Sequence, residues 1–233
     1  MWLAVDSGNT RIKWALVRGR RMTKTGASSR GLSALAAAAR KCDEVVIADV
    51  VGKKRRGDIM KALPDAVCFI PPPPLRQGGL CNHYRKPNAL GIDRWLAMLA
   101  ATGKNKDAVI ADAGTALTID ALTGDGDFIG GIIVPGAKLM RRALSQKTGL
   151  AGGALLPPPS LAAGRDTKAA MAAGIAAAMA GAVLAFRRRV LPRAAIIITG
   201  GDAGELLPWL PRAVLHKPHL VMEGIIRWRE LRL

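Results

Sequence analysis

The amino-acid sequence predicts an α/β protein built from two lobes of one fold. Short apolar strands alternate with helix-like segments along its 233 residues, an order typical of α/β architecture. A strand–turn–strand pattern also occurs twice, as AVDSGNTRIKWAL around Asp6 and as IADAGTALTIDAL around Asp112. A repeat of this kind, offset by about a hundred residues, indicates a duplicated unit. We therefore expect an N-terminal lobe at residues 1–105 and a C-terminal lobe at residues 106–233, divided near Lys104–Lys106.

In the first lobe, apolar runs and alternation predict the strands. Trp2–Asp6 is an apolar strand, Gly8–Asn9 is a tight turn, and Thr10–Val17 alternates apolar with polar residues as a half-buried strand does. The segments expected downstream are a helix at Ser33–Lys41, a buried strand at Glu44–Val50, an extended run at Pro71–Pro74 and a helix at Asp93–Thr102 that Gly103 ends.

The second lobe begins with the same pattern. Ala108–Asp112 is a strand, Ala113–Gly114 is the turn, and Thr115–Leu122 is a second alternating strand. The segments expected after it are a turn at Gly130–Gly131, a helix at Ala137–Gln146, a loop at Pro157–Pro159, a long alanine-rich helix, a strand at Ala195–Thr199 and a helix from about Val221 to Leu231.

Composition and charge narrow the class of protein. Half of the residues are hydrophobic, which argues against disorder. The few aromatic residues are scattered, which disfavours a stacking surface for single-stranded nucleic acid. The formal net charge of +18 is compatible with nucleic acid, an anionic membrane or a small polyanion such as a nucleotide. We interpret the basic runs Lys53–Arg56 and Arg187–Arg189 as solvated helix ends.

The cysteines and the first residues bear on the compartment. Cys42, Cys68 and Cys81 are odd in number and form no C-x-x-C pair, which disfavours a disulfide framework and a standard zinc site. A strand-like run begins at Trp2, without the basic and long apolar stretches of a secretory signal. We therefore expect a cytoplasmic protein.

One uncharged segment, Ala169–Phe186, is long enough to cross a membrane. It consists mostly of Ala, Gly and Met, with few of the strongly apolar residues that insertion requires. We expect instead a buried helix, either inside the fold or at a subunit interface.

The two Asp–x–Gly–(Asn)–Thr turns are the strongest functional signal. Glycine at such a turn permits positive φ and lets backbone N–H groups approach a phosphate, and an aspartate at the strand end can hold a hard cation. Thr10 and Thr115 add hydroxyl groups, and Lys13 adds a positive charge. One such turn is typical of ordinary hairpins. Two matched copies predict phosphate binding and an ATP-using phosphotransferase.

Two further features allow alternatives. The turn at Gly200–Ala203 can carry the flat face of a nucleotide, or it can simply lead into a helix. Asp93 lies where a loop becomes a helix, two residues after Gly91 and directly before Arg94. It is either an N-cap or first-turn acid, or a general base that faces a hydroxyl acceptor.

In their order along the chain, these motifs resemble those of type III pantothenate kinases, which belong to the acetate and sugar kinase, Hsp70 and actin superfamily. The matching segments span nearly the whole chain and are Asp6–Thr10 with Lys13, Gly91–Arg94, Asp112–Ala116 and Gly130–Gly136. The resemblance implies duplicated actin-like (ribonuclease H-like) lobes, each a mixed sheet flanked by helices, with the active site in the cleft between them.

The resemblance also implies a role for each matching residue. The ATP-binding residues it implies are Asp6, Ser7, Gly8, Asn9, Thr10, Arg11, Ile12, Lys13 and Thr115. The pantothenate-binding residues it implies are Tyr84, Gly91, Ile92, Asp93, Arg94 and Thr167, the last reaching in from the partner subunit. In this scheme Asp93 is the catalytic base, Asp6 belongs to the magnesium site, and Asp112 binds a monovalent cation, K⁺ or NH₄⁺.

The function so implied is the ATP-dependent phosphorylation of pantothenate to 4′-phosphopantothenate, the first step of coenzyme A biosynthesis. The enzyme would be a homodimer that needs Mg²⁺ and a monovalent cation, and we expect neither a membrane nor nucleic acid as its partner. Two alternatives stay open. One is a kinase of the same superfamily that acts on another small hydroxyl or carboxylate acceptor. The other is a polyanion-binding regulatory protein on an actin-like fold, supported by the charge of +18 and the run Lys53–Arg56, which is not part of the family's pattern.

Overall fold

A computed structural model describes residues 1–28, 32–63, 67–148 and 163–232 of the chain. The loop expected at Pro157–Pro159 lies outside these residues. The chain divides into two units. The first comprises Met1–Thr102 together with the segment that begins at Leu220, and the second comprises Gly103–His219.

The first unit contains a mixed five-stranded sheet in the order β3-β2-β1-β4-β5. Its strands are β1 (Trp2–Ser7), β2 (Ile12–Arg18), β3 (Arg21–Ser28), β4 (Glu44–Asp49) and β5 (Val67–Phe69). Strands β1, β2 and β3 are antiparallel neighbours, whereas β4 runs parallel to β1 and β5 runs parallel to β4. All residues of β1 are buried because the strand lies in the middle of the sheet.

Helices pack on both faces of this sheet. Helices α1 (Ser33–Ala39) and α2 (Lys53–Ala62) pack their apolar residues against Leu3 and Val5. Successive strand residues point to opposite faces, so Trp2 lies on the other face. There the C-terminal helix α7 (Leu220–Arg232) covers the sheet, with the Arg229 guanidinium 4.9 Å from the centre of the Trp2 ring.

The C-terminal helix α7 packs closely against α3 (Ile92–Ala101). Gly224 allows this approach, because a Cβ atom at that position would overlap the Leu96 carbonyl group. The Arg229 Nε also donates to a Glu44 carboxylate oxygen at 2.7 Å. The sequence-based division assigned this helix to the second lobe, whereas its contacts place it in the first unit.

The segment between β5 and α3 has its own short elements. A hairpin of β6 (Arg76–Gln77) and β7 (Leu80–Asn82) is followed by a 3₁₀ turn at Pro87–Ala89. This segment brings Tyr84 towards the start of α3, where the Tyr84 hydroxyl meets Arg94.

The second unit repeats the mixed-sheet arrangement, with strands in the order β12-β11-β8-β9-β10. These strands are β8 (Ala108–Ala113), β9 (Ala116–Leu122), β10 (Asp127–Pro135), β11 (Ala195–Thr199) and β12 (Leu215–His216). Strands β8, β9 and β10 are antiparallel neighbours, and β11 is parallel to β8. Two mixed sheets with flanking helices confirm the predicted α/β class.

The turn predicted at Gly130–Gly131 is wrong. Both glycines lie inside β10, where they pair with Ala121 and Asp120. The register shifts between Phe128 and Gly130, and Gly130 has φ +134°. Such an irregularity is a β-bulge, a place where glycine is common within a strand.

Among its described residues, the second unit contains the α-helices α4 (Ala137–Thr148), α5 (Thr167–Val190) and α6 (Ala203–Leu206). By length and composition α5 is long and apolar enough to cross a membrane. One of its faces is nevertheless buried in the core of the second unit, through the residues Ala172, Ile175, Ala176, Met179, Ala180 and Val183. This face agrees with the expected burial inside the fold, but only 33% of the apolar stretch is buried, so the packing accounts for part of the apolar composition.

Candidate active site

The first phosphate loop connects β1 to β2. The Gly8 N–H donates to the Arg11 carbonyl at 3.1 Å, and a Cβ atom on Gly8 would lie 3.1 Å from the same oxygen. A Cβ atom at this position would therefore require a shift of only a few tenths of an ångström in the loop. Asn9, Thr10 and Arg11 are exposed, so the loop can contact a ligand.

Three polar side chains lie at the base of this loop. Asp6 pairs with Lys13 across β1 and β2, and directly opposite residues project from the same face of a sheet. Asp6 is buried and Lys13 is half-buried. Ser7 is fully buried, and its Oγ has no hydrogen-bond partner among the residues that the structure describes. The Asp6 carboxylate and the Lys13 ammonium group, which share one face of the sheet, are suited to a phosphate with its metal ion, whereas the Ser7 side chain lies on the other face.

Asp49 lies beside this loop, and the sequence pattern did not single it out. It ends β4 and pairs with Ser7 of the parallel strand β1. Its carboxylate accepts hydrogen bonds from the Val51 N–H at 3.1 Å, the Gly52 N–H at 3.3 Å and the Arg56 Nε at 2.9 Å. Arg56, which belongs to the basic run, therefore forms an ion pair within the first unit. The signal for Asp49 was an acid between a buried strand and a helix, a common place for a capping residue.

Asp93 lies in the first turn of α3, two residues after Gly91. Its Oδ1 accepts a hydrogen bond from the Arg94 N–H at 2.8 Å. A Cβ atom on Gly91 would lie 2.7 Å from that oxygen, so glycine leaves the room that the carboxylate occupies. The helix N-cap position belongs to Gly91, which excludes the N-cap interpretation of Asp93. The partly exposed Asp93 carboxylate is suited to accept a proton from a bound hydroxyl group.

Arg94 and Tyr84 form one polar face next to Asp93. The Arg94 Nη1 donates to the Tyr84 hydroxyl at 3.2 Å, and the guanidinium lies 5.7 Å from the centre of the Tyr84 ring. Arg94 is only 7% exposed, so its position is well defined by its surroundings. Ile92 is buried as well. The structure therefore brings Tyr84, Gly91, Asp93 and Arg94 together within the first unit.

The second phosphate loop connects β8 to β9 and is closed by the Gly114 N–H, which donates to the Ala116 carbonyl at 3.0 Å. Asp112 is half-buried, and Thr115 at the tip of the loop is exposed. Gly136, which follows β10, donates its N–H to the Thr115 carbonyl at 3.0 Å. A Cβ atom on Gly136 would overlap the Gly114 and Thr115 carbonyl groups. This close approach explains why the motif that contains β10 ends in glycine.

The third glycine turn lies against the same loop. Gly200 has φ +98°, and a Cβ atom there would overlap the Ala113 carbonyl and the Asp112 carboxylate. The Asp202 N–H donates to the Ala113 carbonyl at 2.9 Å. The predicted turn into a helix is confirmed, because α6 begins at Ala203.

Two ion pairs connect this turn to α4. Lys138 Nζ lies 2.7 Å from the Asp202 carboxylate, and Arg141 makes two hydrogen bonds of 2.8 Å to the Glu205 carboxylate. The hydrogen bonds to Glu205 raise the pKa of Arg141 above its usual value. A two-bond guanidinium–carboxylate pair restricts geometry more than a single contact does, so the turn is held in place on α4.

Thr167 is the first residue of α5 and is exposed. It follows Asp166, whose carboxylate accepts a hydrogen bond from the Ala169 N–H at 2.9 Å and so caps the helix. Thr167 is accessible to another molecule at this helix end.

The model of the family described as type III pantothenate kinase matches residues 2–189 of the chain. The chain belongs to this family. The transfer of phosphate by members of a kinase family uses ATP and a divalent metal ion.

Two type III pantothenate kinases illustrate the relationship. The one from Chromobacterium violaceum is 38% identical over 244 residues, which cover 97% of this chain and 98% of the relative. The one from Thiobacillus denitrificans is 39% identical over 235 residues, which cover 97% of this chain and 95% of the relative. The chain therefore spans nearly the full length of these kinases.

Solved structures show the fold. A Campylobacter jejuni protein assigned to the Baf family of transcriptional activators has a TM-score of 0.66 and 21% identity, covering 99% of this chain and all of the other. An archaeal actin homologue has a TM-score of 0.52 and 13% identity, covering 98% of this chain and 99% of the other. At these identities the likeness supports the actin-like fold of this pantothenate kinase family member and nothing more.

Proposed function

We propose that this chain transfers the γ-phosphoryl group of ATP to the primary hydroxyl group of pantothenate, which forms 4′-phosphopantothenate in the first step of coenzyme A biosynthesis. The observation that carries this proposal is the cluster at the start of α3, in a chain that belongs to the pantothenate kinase family. There the Asp93 carboxylate, accommodated by Gly91, adjoins the polar face of Arg94 and Tyr84.

The first loop is proposed to hold the triphosphate. Asp6 would bind the divalent metal, assigned as Mg²⁺, directly or through water. Lys13 and the exposed loop N–H groups would contact phosphate oxygens. The metal ion neutralises charge that develops on the β- and γ-phosphates. The contribution of the protein is to hold the donor in line with the acceptor.

Asp93 is proposed as the general base. As the pantothenate hydroxyl oxygen bonds to the γ-phosphorus, its proton passes to the Asp93 carboxylate, and the bond to the β-phosphate oxygen breaks to release ADP. Arg94 attracts the pantothenate carboxylate and offsets the negative charge near Asp93. The buried Ile92 side chain and the backbone of Gly91, which carries no side chain, complete the acceptor face.

The second loop is proposed to serve charge balance and nucleotide placement. Asp112 binds K⁺ or NH₄⁺, and Thr115 makes a second contact with ATP. A monovalent cation fits the half-buried Asp112 carboxylate, which lies near the Ala113 carbonyl where Gly200 approaches. The turn at Gly200 then faces the nucleotide.

The assembly is proposed to be a cytoplasmic homodimer in which Thr167 of one subunit reaches the acceptor site of the other. The support is the exposed position of Thr167 at the start of α5. Neither a membrane nor nucleic acid is a partner in this proposal.

The proposal is tested by quantifying ADP and 4′-phosphopantothenate directly by chromatography. Purified protein with ATP and Mg²⁺ should form both products only when pantothenate and K⁺ or NH₄⁺ are present. Na⁺ at equal ionic strength is the control for the cation, and acetate and a sugar are the control acceptors. No ADP above background with pantothenate would contradict the assignment, and faster turnover of another acceptor would reassign the kinase.

A further inference from the structure

Asn82 is a buried polar residue that the proposed reaction does not use. It ends β7, and its exposed fraction is 0%. Burying an amide is costly unless its donor and acceptor are both satisfied. The partners of Asn82 therefore indicate which part of the structure depends on it.

The side chain of Asn82 connects three parts of the segment that precedes α3. Its Nδ2 donates to the Pro74 carbonyl at 3.4 Å and to the Pro87 carbonyl at 3.0 Å. Its Oδ1 accepts a hydrogen bond from the Tyr84 N–H at 3.1 Å. One amide thus joins the chain before the hairpin, the backbone of Tyr84 and the first residue of the 3₁₀ turn.

Tyr84 extends this connection to the acceptor face. Its backbone is held by Asn82, and its hydroxyl accepts the hydrogen bond from Arg94 Nη1 at 3.2 Å. Arg94 directly follows Asp93 in the first turn of α3. A continuous series of contacts therefore runs from the buried amide to the proposed acceptor site.

We infer that Asn82 is a positioning residue for the acceptor face. It holds Tyr84 where the phenol meets Arg94, and it thereby sets the affinity for a small acceptor that carries a carboxylate and a hydroxyl group. Asn82 does not touch the acceptor itself. This inference rests on the proposed function.

The chemistry of the amide explains why asparagine is suited to this place. The Pro74 and Pro87 carbonyl groups need a donor, and the Tyr84 N–H needs an acceptor. The amide of asparagine offers both on one side chain. An aspartate would keep the acceptor but turn a carboxylate oxygen towards the Pro74 and Pro87 carbonyl groups. An alanine would leave all three backbone groups without this partner.

The test compares the KM for pantothenate with the KM for ATP in Asn82→Ala and Asn82→Asp. We expect the KM for pantothenate to rise about tenfold, since small displacements of positioning groups have effects of this order or larger. The KM for ATP should change by less than about twofold. Equal changes in both constants, or no change in either, would overturn the inference.

A double-mutant cycle with Tyr84→Phe tests whether Asn82 acts through Tyr84. If it does, Asn82→Ala should raise the KM for pantothenate much less in the Tyr84→Phe background than in the wild type, because both changes break one series of contacts. If the double variant raises the KM for pantothenate by the product of the two single effects, the inference is overturned.

Thr102→Val is the matched control for loss of a buried hydrogen bond. Thr102 is also buried in the first unit, and its hydroxyl donates to the Met98 carbonyl at 2.8 Å, at the other end of α3. This variant should lower the melting temperature but leave both KM values unchanged. If Asn82→Ala does not fold, Asn82→Ser replaces it, and an unchanged KM for pantothenate in that variant would overturn the inference. A wild-type protein without pantothenate-dependent ADP release would instead overturn the proposed function.

Discussion

The two phosphate loops have the same strand pattern but different support. In each unit a parallel strand lies beside the strand that precedes the loop: β4 beside β1, and β11 beside β8. A residue that follows the parallel strand donates a hydrogen bond to the last residue of β1 or β8. The Val50 N–H donates to the Ser7 carbonyl at 3.2 Å, and the Asp202 N–H donates to the Ala113 carbonyl at 2.9 Å. Beyond this shared contact the two loops differ.

The first loop is open, whereas the second is closely packed. Residues 9–11 of the first loop are exposed, and the neighbouring Asp49 is already neutralised by Arg56. The second loop is approached by the backbones of Gly136 and Gly200, so closely that neither position has room for a Cβ atom. One hairpin pattern can thus present an adaptable loop or a rigid one, depending on what packs behind it. This contrast fits a triphosphate at the first loop and a small monovalent cation at the second.

The largest effect is expected at Asp93, which lies outside both loops. Asp93→Asn keeps the size of the side chain but removes the proton acceptor, so kcat should fall about 10²-fold or more. The measurement is kcat at saturating ATP and pantothenate. Turnover close to that of the wild type would show that Asp93 is not the base and that the proton acceptor must be sought in the two loops.

The next largest effect is expected where the second loop is packed. Gly200→Ala would force a Cβ atom into the Ala113 carbonyl and the Asp112 carboxylate at φ +98°, at a cost of about 2–4 kcal/mol of unfolding free energy. Gly201→Ala is the control, because no atom lies within 4 Å of its added Cβ. Urea denaturation of both variants measures the difference, and equal stabilities would show that the second loop is not rigid.

Exchanging the two aspartates for asparagine tests the proposed difference in cations. Asp6→Asn should raise the Mg²⁺ concentration needed for half-maximal activity about tenfold, and Asp112→Asn should do the same for K⁺, because each change removes a charged oxygen ligand. Titration of each variant with both cations measures the effect. The distinction between the loops would be contradicted if Asp6→Asn raised the required K⁺ concentration and Asp112→Asn the required Mg²⁺ concentration. It would also be contradicted if each variant raised the required concentration of both cations.

The smallest effect is expected in the open loop. Gly8→Ala places a Cβ atom 3.1 Å from the Arg11 carbonyl, and the exposed loop can move by a few tenths of an ångström. The unfolding free energy should change by no more than about 1 kcal/mol, compared with the larger loss for Gly200→Ala. A similar loss in both variants, measured by urea denaturation, would indicate that the first loop is as rigid as the second.

Most of the regular elements could be predicted because their signals are local. Apolar runs predicted β1 and β8, alternation predicted β2 and β9, and the long Ala-rich run predicted α5. The strand β3 was missed because this edge strand is largely exposed and carries no apolar run. For helix α2 the sequence indicated only an end at Lys53–Arg56, because four basic residues followed by Gly57 carry little helical signal. The glycine pair in β10 was read as a turn, since a bulge and a turn need the same backbone freedom.

The sequence by itself determined the two Asp–Gly–Thr loops, their strands and the position of Asp93 at a helix start, because turn chemistry and hydrophobic periodicity act between neighbours along the chain. Only the tertiary structure showed that Gly200 packs on Asp112 and that Asn82 holds Tyr84 in place beside Arg94. These contacts depend on strand order and on backbone approach. Gly200 and Asp112 come from separate segments of the chain, and the bond between Tyr84 and Arg94 joins residues ten positions apart, so neither contact leaves a periodic signal in the sequence.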